Sequence, residues 1–292
     1  MPYTDRKEIL TTVSSAQILV LGAIAGSTIL IGLPLARVEN LSLSVKAALS
    51  ATATGILLFL LYDVIHGGIE PVDEALESAV DGGSWSHFAW YALLFGAGAT
   101  IGLMSLVYYD GWMKRKRDEA MLGPGAASAA EFEQSWVGSL SASAWLSLLI
   151  ATGIGLHNFS EGLAIGQAGA QGEISLAVVL IIGFGLHNAT EGFGIVAPMS
   201  GDTVKPAWRF LLLLGLIGGG PTFVGTLIGQ AWSSEALSIT FLALAAGSIL
   251  YVVMQLINVN ARLASKTLIA WFVLLGLFLG FATEFVVEAA GV

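Results

Sequence analysis

Long apolar runs separated by short polar stretches dominate this chain. A helix that crosses a membrane needs about twenty mostly apolar residues, and eight runs reach that length. In lipid every backbone polar group must be satisfied internally, so each run predicts an α-helix. The runs are 15–36, 44–66, 86–109, 140–166, 174–197, 208–230, 236–257 and 267–289. The pattern predicts an all-α integral membrane protein, folded as a single transmembrane domain over 1–292.

Two connections are longer than the others. The acidic segment 67–85 is predicted to be an outside loop, and 110–139 is predicted to be a mobile inside loop. If the N-terminus lies outside, ten of the twelve basic residues fall in inside segments, as cytoplasmic loops require. We therefore predict eight transmembrane helices with both termini outside.

Composition supports a membrane protein and excludes several functions. The chain is 55% hydrophobic and only 11% charged, whereas soluble domains average about 25% charged residues. It contains no cysteine, which excludes disulfides, thiolate metal sites and a cysteine nucleophile. Its net charge of −9 argues against a nucleic-acid partner. The lipid bilayer is the expected partner, and the cell membrane the expected location.

One motif occurs twice inside the apolar runs. GLHNFSEGLAIG at 155–166 is echoed by GLHNATEGFGIV at 185–196. Residues three and four apart share a helix face, so each copy presents a His, an Asn and a Glu to one neighbour. Imidazole and carboxylate together suit Zn, Fe, Mn, Co or Ni. The candidate metal ligands are His157, Asn158, Glu161, His187, Asn188 and Glu191.

A structural explanation of the motif competes with metal binding. Burying His and Glu in an apolar run is costly unless they are paired or bind something. A helix-packing pair, with His157 bonded to Glu191 or the reverse, would meet that requirement. The repeat of three polar residue types at fixed spacing favours a shared ligand instead. The predicted topology makes the fourth and fifth helices antiparallel, which indicates inverted repeats typical of secondary transporters.

Other polar residues within the runs predict a route through the membrane. Acids and a histidine toward the outer ends of the second and eighth helices could concentrate cations, although residues near helix ends also reach water unaided. The predicted entrance residues are Asp63, His66, Glu70, Glu284 and Glu288. Gln255 and Asn258 of the seventh helix are the predicted exit residues, and interhelical hydrogen bonding is an equal alternative for both.

The motif pair resembles a known family. HNFSEG resembles the fourth-helix signature, and HNATEG the fifth, of the ZIP family of divalent-metal transporters. ATGILLFLLYDVI and AAGSILYVV resemble its second and seventh helices. The resemblance implies an inverted-repeat (3+2+3) arrangement of eight helices, with the six motif residues binding substrate between helices four and five. It further implies flow into the cytoplasm, a monomer or homodimer, and an elevator-like slide of helices one, four, five and six.

The chain also departs from that family pattern. Ser160 and Thr190 stand where the signatures often carry proline, and hydroxyl bonds to the i−4 carbonyl could bend these helices instead. Gly220 occupies the apparent place of a sixth-helix Glu that completes a second metal site in many members. Gln255 and Leu256 replace a seventh-helix His or Glu, and the long inside segment has no histidine.

These observations predict import of a divalent transition-metal ion by a protein that is not an enzyme. Zinc is the favoured cargo, with Fe, Mn, Co, Ni and Cd also compatible, and no prosthetic group is expected. Two other classes stay open. A membrane-embedded metalloenzyme could use paired His and Glu on facing helices, but no HExxH is present. A metal receptor that does not transport would need an effector segment beyond 110–139.

Overall fold

A computed structural model describes residues 14–38, 42–122, 140–170, 174–232 and 234–289, and these form eight α-helices. The side chains of 116–122, 174–180, 201 and 286–288 lie outside the description. The helices are α1 (Ser15–Ser27), α2 (Leu43–Val80), α3 (Trp85–Leu122), α4 (Ala142–Ala170), α5 (Ile174–Val196), α6 (Trp208–Ala231), α7 (Glu235–Leu263) and α8 (Lys266–Ala289). The prediction of an all-α chain is confirmed.

Seven of these helices are long and apolar enough to cross a membrane within the described residues, so the chain is a multi-pass membrane protein. The remaining helix, α5, has 23 residues, but part of it lacks described side chains. The first predicted run keeps its extent but changes its form. Helix α1 ends at Ser27, and the chain continues as 3₁₀ turns over Thr28–Ile31 and Leu33–Arg37.

The segment 67–85 differs from its predicted form. Helix α2 continues to Val80, and only a short turn, with Gly82 at φ 99°, separates it from α3. Val72 and Ala75 are buried against Tyr91, and this apolar stripe keeps the segment helical despite Pro71. At 1.5 Å per residue, α2 is roughly 57 Å long, so its acidic end extends beyond a bilayer core of about 30 Å. The inside loop likewise begins later than predicted, because α3 extends to Leu122, while 123–139 lie outside the described residues.

Glycines let particular helix pairs touch through their backbones. A Cβ on Gly26 would lie 2.2 Å from the Gly219 carbonyl oxygen, and a Cβ on Gly219 would lie 2.1 Å from that of Gly26. The same reciprocal contact joins Gly55 and Gly276 to the facing backbones of α8 and α2. Comparable approaches join α4 to α6 and α3 to α7. These contacts link α1 and α4 to α6, α2 to α8, and α3 to α7. We refer to α1, α4, α5 and α6 as the inner group and to α2, α3, α7 and α8 as the outer group.

The pairing of helices has an internal symmetry. Extensive contacts join α2 to α8 and α3 to α7, and these pairs interchange if the first three helices are exchanged with the last three. The pairs α4–α6 and α1–α5 interchange in the same way. This pairing supports the 3+2+3 inverted repeat, which remains a prediction together with the outside location of both termini.

Cysteine labelling tests the predicted topology directly, because the native chain has no cysteine. Ser78 lies exposed at the far end of α2, and Thr203 lies exposed between α5 and α6. We expect a membrane-impermeant maleimide to label Ser78→Cys from outside, and Thr203→Cys only after the membrane is permeabilised. Labelling of both variants in sealed cells would overturn the predicted orientation.

Candidate metal centre

Helices α4 and α5 bring the two motif copies side by side. His157 and His187 are equally distant from the connection between these helices, and their ring centroids are 6.2 Å apart. Both histidines and both motif glutamates are buried, with Glu191 only 1% exposed. The matched depth follows from the thirty-residue spacing of the copies around one short connection.

Glu161 lies at the centre of the cluster. Its Oε1 is hydrogen-bonded to His187 Nε2 at 2.5 Å and lies 2.9 Å from His157 Nε2, so one carboxylate oxygen contacts both imidazoles. The ligand atoms of these three residues all lie within 4.8 Å of one another. The structural alternative was therefore right that the helices pair through His and Glu. Of the two pairings that the sequence allowed, the close one is His187 with Glu161, whereas Glu191 Oε1 is 3.9 Å from His157 Nε2.

Several buried polar atoms of the cluster have no hydrogen-bond partner among the described residues. They are both ring nitrogens of His157, Asn158 Oδ1, Glu161 Oε2, Asn188 Oδ1 and both carboxylate oxygens of Glu191. Buried polar groups are nearly always paired, and each exception in a native fold needs an explanation. The concentration of unpaired acceptors around two helices is the arrangement that a cation would satisfy.

The two asparagines anchor the motif helices through their amide N–H groups. Asn158 Nδ2 donates to the Gly218 carbonyl of α6 at 2.9 Å, and Asn188 Nδ2 donates to the Ala25 carbonyl of α1 at 3.2 Å. Each amide therefore binds a neighbouring helix and leaves its Oδ1 as an unused acceptor. Because amides are neutral, these oxygens offer weaker cation ligands than the carboxylates.

The cluster fits a transition-metal ion after a small expansion. With ligands about 2.0–2.1 Å from a tetrahedral ion, neighbouring ligand atoms lie roughly 3.3 Å apart. The two short contacts to Glu161 are somewhat closer than that. An ion would therefore replace these two direct His–Glu contacts, each of which would lengthen by less than about 1 Å.

The hydroxyl groups at the positions before the two glutamates act alike. Ser160 Oγ donates to the His157 carbonyl at 2.6 Å, and Thr190 Oγ1 donates to the His187 carbonyl at 2.7 Å. The acceptor is the i−3 carbonyl, not the i−4 carbonyl that the sequence suggested. Both motif copies therefore carry the same hydrogen bond from a hydroxyl to the backbone where the family often has a proline. In each copy the acceptor is the carbonyl of the candidate ligand histidine.

The predicted entrance residues separate into two sets. Asp63 and Glu284 line a cavity of about 40 Å³ that also contacts His187. His66 and Glu70 are exposed, and the His66 ring stacks on Tyr62 with centroids 6.1 Å apart. The side chain of Glu288 lies outside the described residues. The structure thus brings two predicted acids to one side of the metal-ligand cluster.

Neither predicted exit residue is fully buried, and a neighbouring residue was missed. Gln255 is half-buried and Asn258 is exposed, whereas Asn260 is fully buried and bonded to Thr54 of α2. The predicted helix stopped at 257, but α7 continues to Leu263. Extending the buried stripe through Leu256 by one more turn would have identified Asn260.

Gly220 does not face the metal-ligand cluster. A Cβ added there would meet nothing within 4 Å. Gly220 instead lines a groove of about 600 Å³ on the surface between α4 and α6, together with Pro221, Val224 and Phe241. A side chain at position 220 would therefore extend into this groove, and the match of Gly220 to a sixth-helix metal ligand stays a prediction.

Comparison with family models identifies a family that the chain matches. A model described as ZIP zinc transporter matches residues 114–288, which is more than half of the chain. Both motif copies lie within the matched region, as do α4 to α7 in full.

Proposed function

Because the chain belongs to the ZIP zinc transporter family, whose members transport divalent metals, we propose that it carries zinc across the cell membrane into the cytoplasm. The proposed binding site lies between α4 and α5 and uses His157, Glu161, His187 and Glu191. Asn158 and Asn188 contribute their neutral oxygens as weaker ligands.

One observation supports the placement of this site between α4 and α5. Two imidazoles share a single buried carboxylate oxygen, while both oxygens of a second buried carboxylate, Glu191, have no partner among the described residues. An unpaired acid is expensive in an apolar helix bundle. A divalent ion bound between the helices would remove that cost for both carboxylates at once.

The proposed binding step exchanges hydrogen bonds for metal ligands. A zinc ion that sheds part of its water displaces the contacts of His157 and His187 to Glu161, and two carboxylates then balance its charge. Neutral imidazoles add directional bonds. Because the ion displaces the hydrogen bond between His187 and Glu161, binding replaces an existing contact, which keeps affinity moderate and permits release.

The cavity beside His187 supports an access route. Asp63 and Glu284 lie on α2 and α8, whereas His187 lies on α5, so the cavity spans both helix groups. Acids that line a low-dielectric cavity raise the local cation concentration. We assign Asp63 and Glu284 to this entrance, and its volume of about 40 Å³ admits a partly dehydrated ion.

The boundary between the two helix groups suits a movement of one against the other. The reciprocal glycine contacts described above join helices within each group. Hydrogen bonds that cross between the groups include those from Ser248 Oγ to the Gly153 carbonyl at 3.0 Å and from Lys46 Nζ to the Ser200 carbonyl. A slide of the inner group would break these bonds while keeping the intragroup backbone contacts.

Uptake into liposomes tests the proposed function. Purified protein in sealed vesicles should accumulate radioactive zinc faster than vesicles without protein. The degree to which excess unlabelled Fe, Mn, Co, Ni or Cd inhibits this uptake gives the order in which these ions compete. The donor set follows general affinity trends and does not by itself select one metal. Vesicles that take up no divalent ion would overturn the proposal.

The entrance assignment predicts a concentration effect. Asp63→Asn should raise the KM for zinc about threefold to tenfold, because the cavity loses a charge that attracts cations. The maximal rate should change less, since the binding site is intact. Asp73→Asn, on the exposed continuation of α2, is the matched control, and equal KM values for both variants would contradict the assignment.

A further inference from the structure

A second buried polar cluster lies between α2 and α7, apart from the motif residues. Ser50, Thr54 and Asn260 are each at most 2% exposed. Ser50 and Thr54 are four residues apart and share a face of α2. Asn260 approaches this face from α7, and its Nδ2 donates to Thr54 Oγ1 at 3.0 Å.

The hydrogen bonds determine which oxygens of this cluster are unused. Thr54 spends its only O–H on the Ser50 carbonyl at 2.8 Å, so it can only accept from Asn260. The Asn260 amide must therefore present Nδ2 to Thr54 and turn Oδ1 away. Asn260 Oδ1 and Ser50 Oγ have no hydrogen-bond partner among the described residues. Two buried acceptors without partners indicate a missing ligand.

Beyond the motif, α5 packs against the parts of α2 and α7 that carry this cluster. Gly194, three residues beyond Glu191, fits between α2 and α7. A Cβ placed on it would lie 3.7 Å from Ala53 Cβ and 3.5 Å from Leu256 Cδ1. Ala53 directly precedes Thr54, and Leu256 lies one turn before Asn260. Helix α5 therefore packs, one turn beyond Glu191, against the parts of α2 and α7 that carry Thr54 and Asn260.

A small cavity continues from Ser50 toward the predicted inner surface. It has a volume of about 10 Å³ and is lined by Ser50, Lys46, Phe193 and Ser200, among others. Lys46 Nζ donates to the Ser200 carbonyl at this place. The cavity is large enough for about one water molecule, which would supply an oxygen ligand for an ion leaving the protein.

We propose that Ser50, Thr54 and Asn260 form a release site, where the divalent ion exchanges the motif ligands for neutral oxygens and water. The proposal rests on the transport function proposed above. Neutral oxygens bind a divalent ion weakly, so the site receives the ion without trapping it. The alternative is that the three residues only hold α2 against α7.

Paired asparagine variants on α7 separate these roles. Asn260→Leu should lower the maximal zinc uptake rate at least about tenfold while KM stays within about twofold, because release is slowed and capture is unchanged. Asn258→Leu is the matched control: Asn258 lies exposed on the same helix, and the proposed route does not include it. Equal rates for the two variants would overturn the release site.

A nearly isosteric acid gives a readout that a packing role would not produce. Asn260→Asp adds a carboxylate beside Ser50 and Thr54, so the purified variant should retain one more equivalent of zinc than the native protein. Adding Ser50→Ala should remove that extra equivalent. Equilibrium dialysis with radioactive zinc measures both, and unchanged retention by Asn260→Asp would overturn the proposal even if Asn260→Leu fails to fold.

The outcome can be distinguished from failure of the transport function itself. Native protein that accumulates zinc, with loss of uptake on Glu161→Gln, establishes the transport site independently. If those two experiments give the expected results but the Asn260 variants take up and retain zinc like the native protein, the release site alone is overturned.

Discussion

Replacing Glu161 by glutamine should abolish zinc uptake. Glu161 Oε1 contacts both motif histidines, so this one substitution removes the charge at the point where the two helices meet. Changes to residues that merely support a metal ligand cost about 10-fold to 100-fold in affinity, so loss of a central ligand should exceed about 100-fold. Glutamine keeps the volume and one carbonyl oxygen, which limits damage to packing.

The measurement combines uptake with binding. Zinc accumulation in liposomes and zinc retention in equilibrium dialysis should both fall for Glu161→Gln, while the protein still elutes as a single folded species. Glu77→Gln is the matched control, since Glu77 is exposed on the outer part of α2. Uptake by Glu161→Gln within a few-fold of the control would exclude the site between α4 and α5.

The site should hold one zinc ion tightly and a second ion only weakly. Two carboxylates, Glu161 and Glu191, balance one divalent cation. A second divalent ion would leave an uncompensated charge of about +2 in a low-dielectric interior. Asn158 and Asn188 offer only neutral oxygens, and Gly220 faces the surface groove.

An added carboxylate should change that stoichiometry. Asn158→Asp is nearly isosteric and places a charge where a buried oxygen has no partner among the described residues. We expect a second zinc position to become occupied between α4 and α5. Gly220→Glu is the control and should leave occupancy unchanged, because its side chain would extend into the groove. Anomalous diffraction at the zinc edge decides, and two equal peaks in the native protein would contradict the charge argument.

Much of this architecture could be predicted from the sequence, because the cost of burying a polar group depends on the residue itself and on its near neighbours in the chain. The apolar runs marked eight helices, since an unpaired backbone is too costly in lipid. The repeated His, Asn and Glu marked the site, since such residues are rarely buried in apolar helices without a partner. Asp63, predicted as an entrance residue, lines a cavity that also contacts His187.

The ends of the helices were less predictable, because packing against residues far away in the sequence decides where a helix stops. The acidic segment 67–85 has the charge of a loop, yet α2 continues to Val80 because Val72 and Ala75 pack against Tyr91 of α3. That contact joins residues on different helices, and no local pattern of charge contains it. The same continuation at the end of α7 brought Asn260 into the bundle beyond the predicted helix end.

The sequence by itself determined which residue types are buried together: two imidazoles, two carboxylates and two amides at matched depth in adjacent helices. Only the tertiary structure decided which atoms meet. The rotation and register of α5 against α4 place Glu161 between both histidines and leave Glu191 apart from them. The rotation of α7 buries Asn260 and exposes Asn258, and that of α6 turns Gly220 to the surface. Helix rotation is set by side-chain packing with every neighbour at once, and a single chain's periodicity does not contain those contacts.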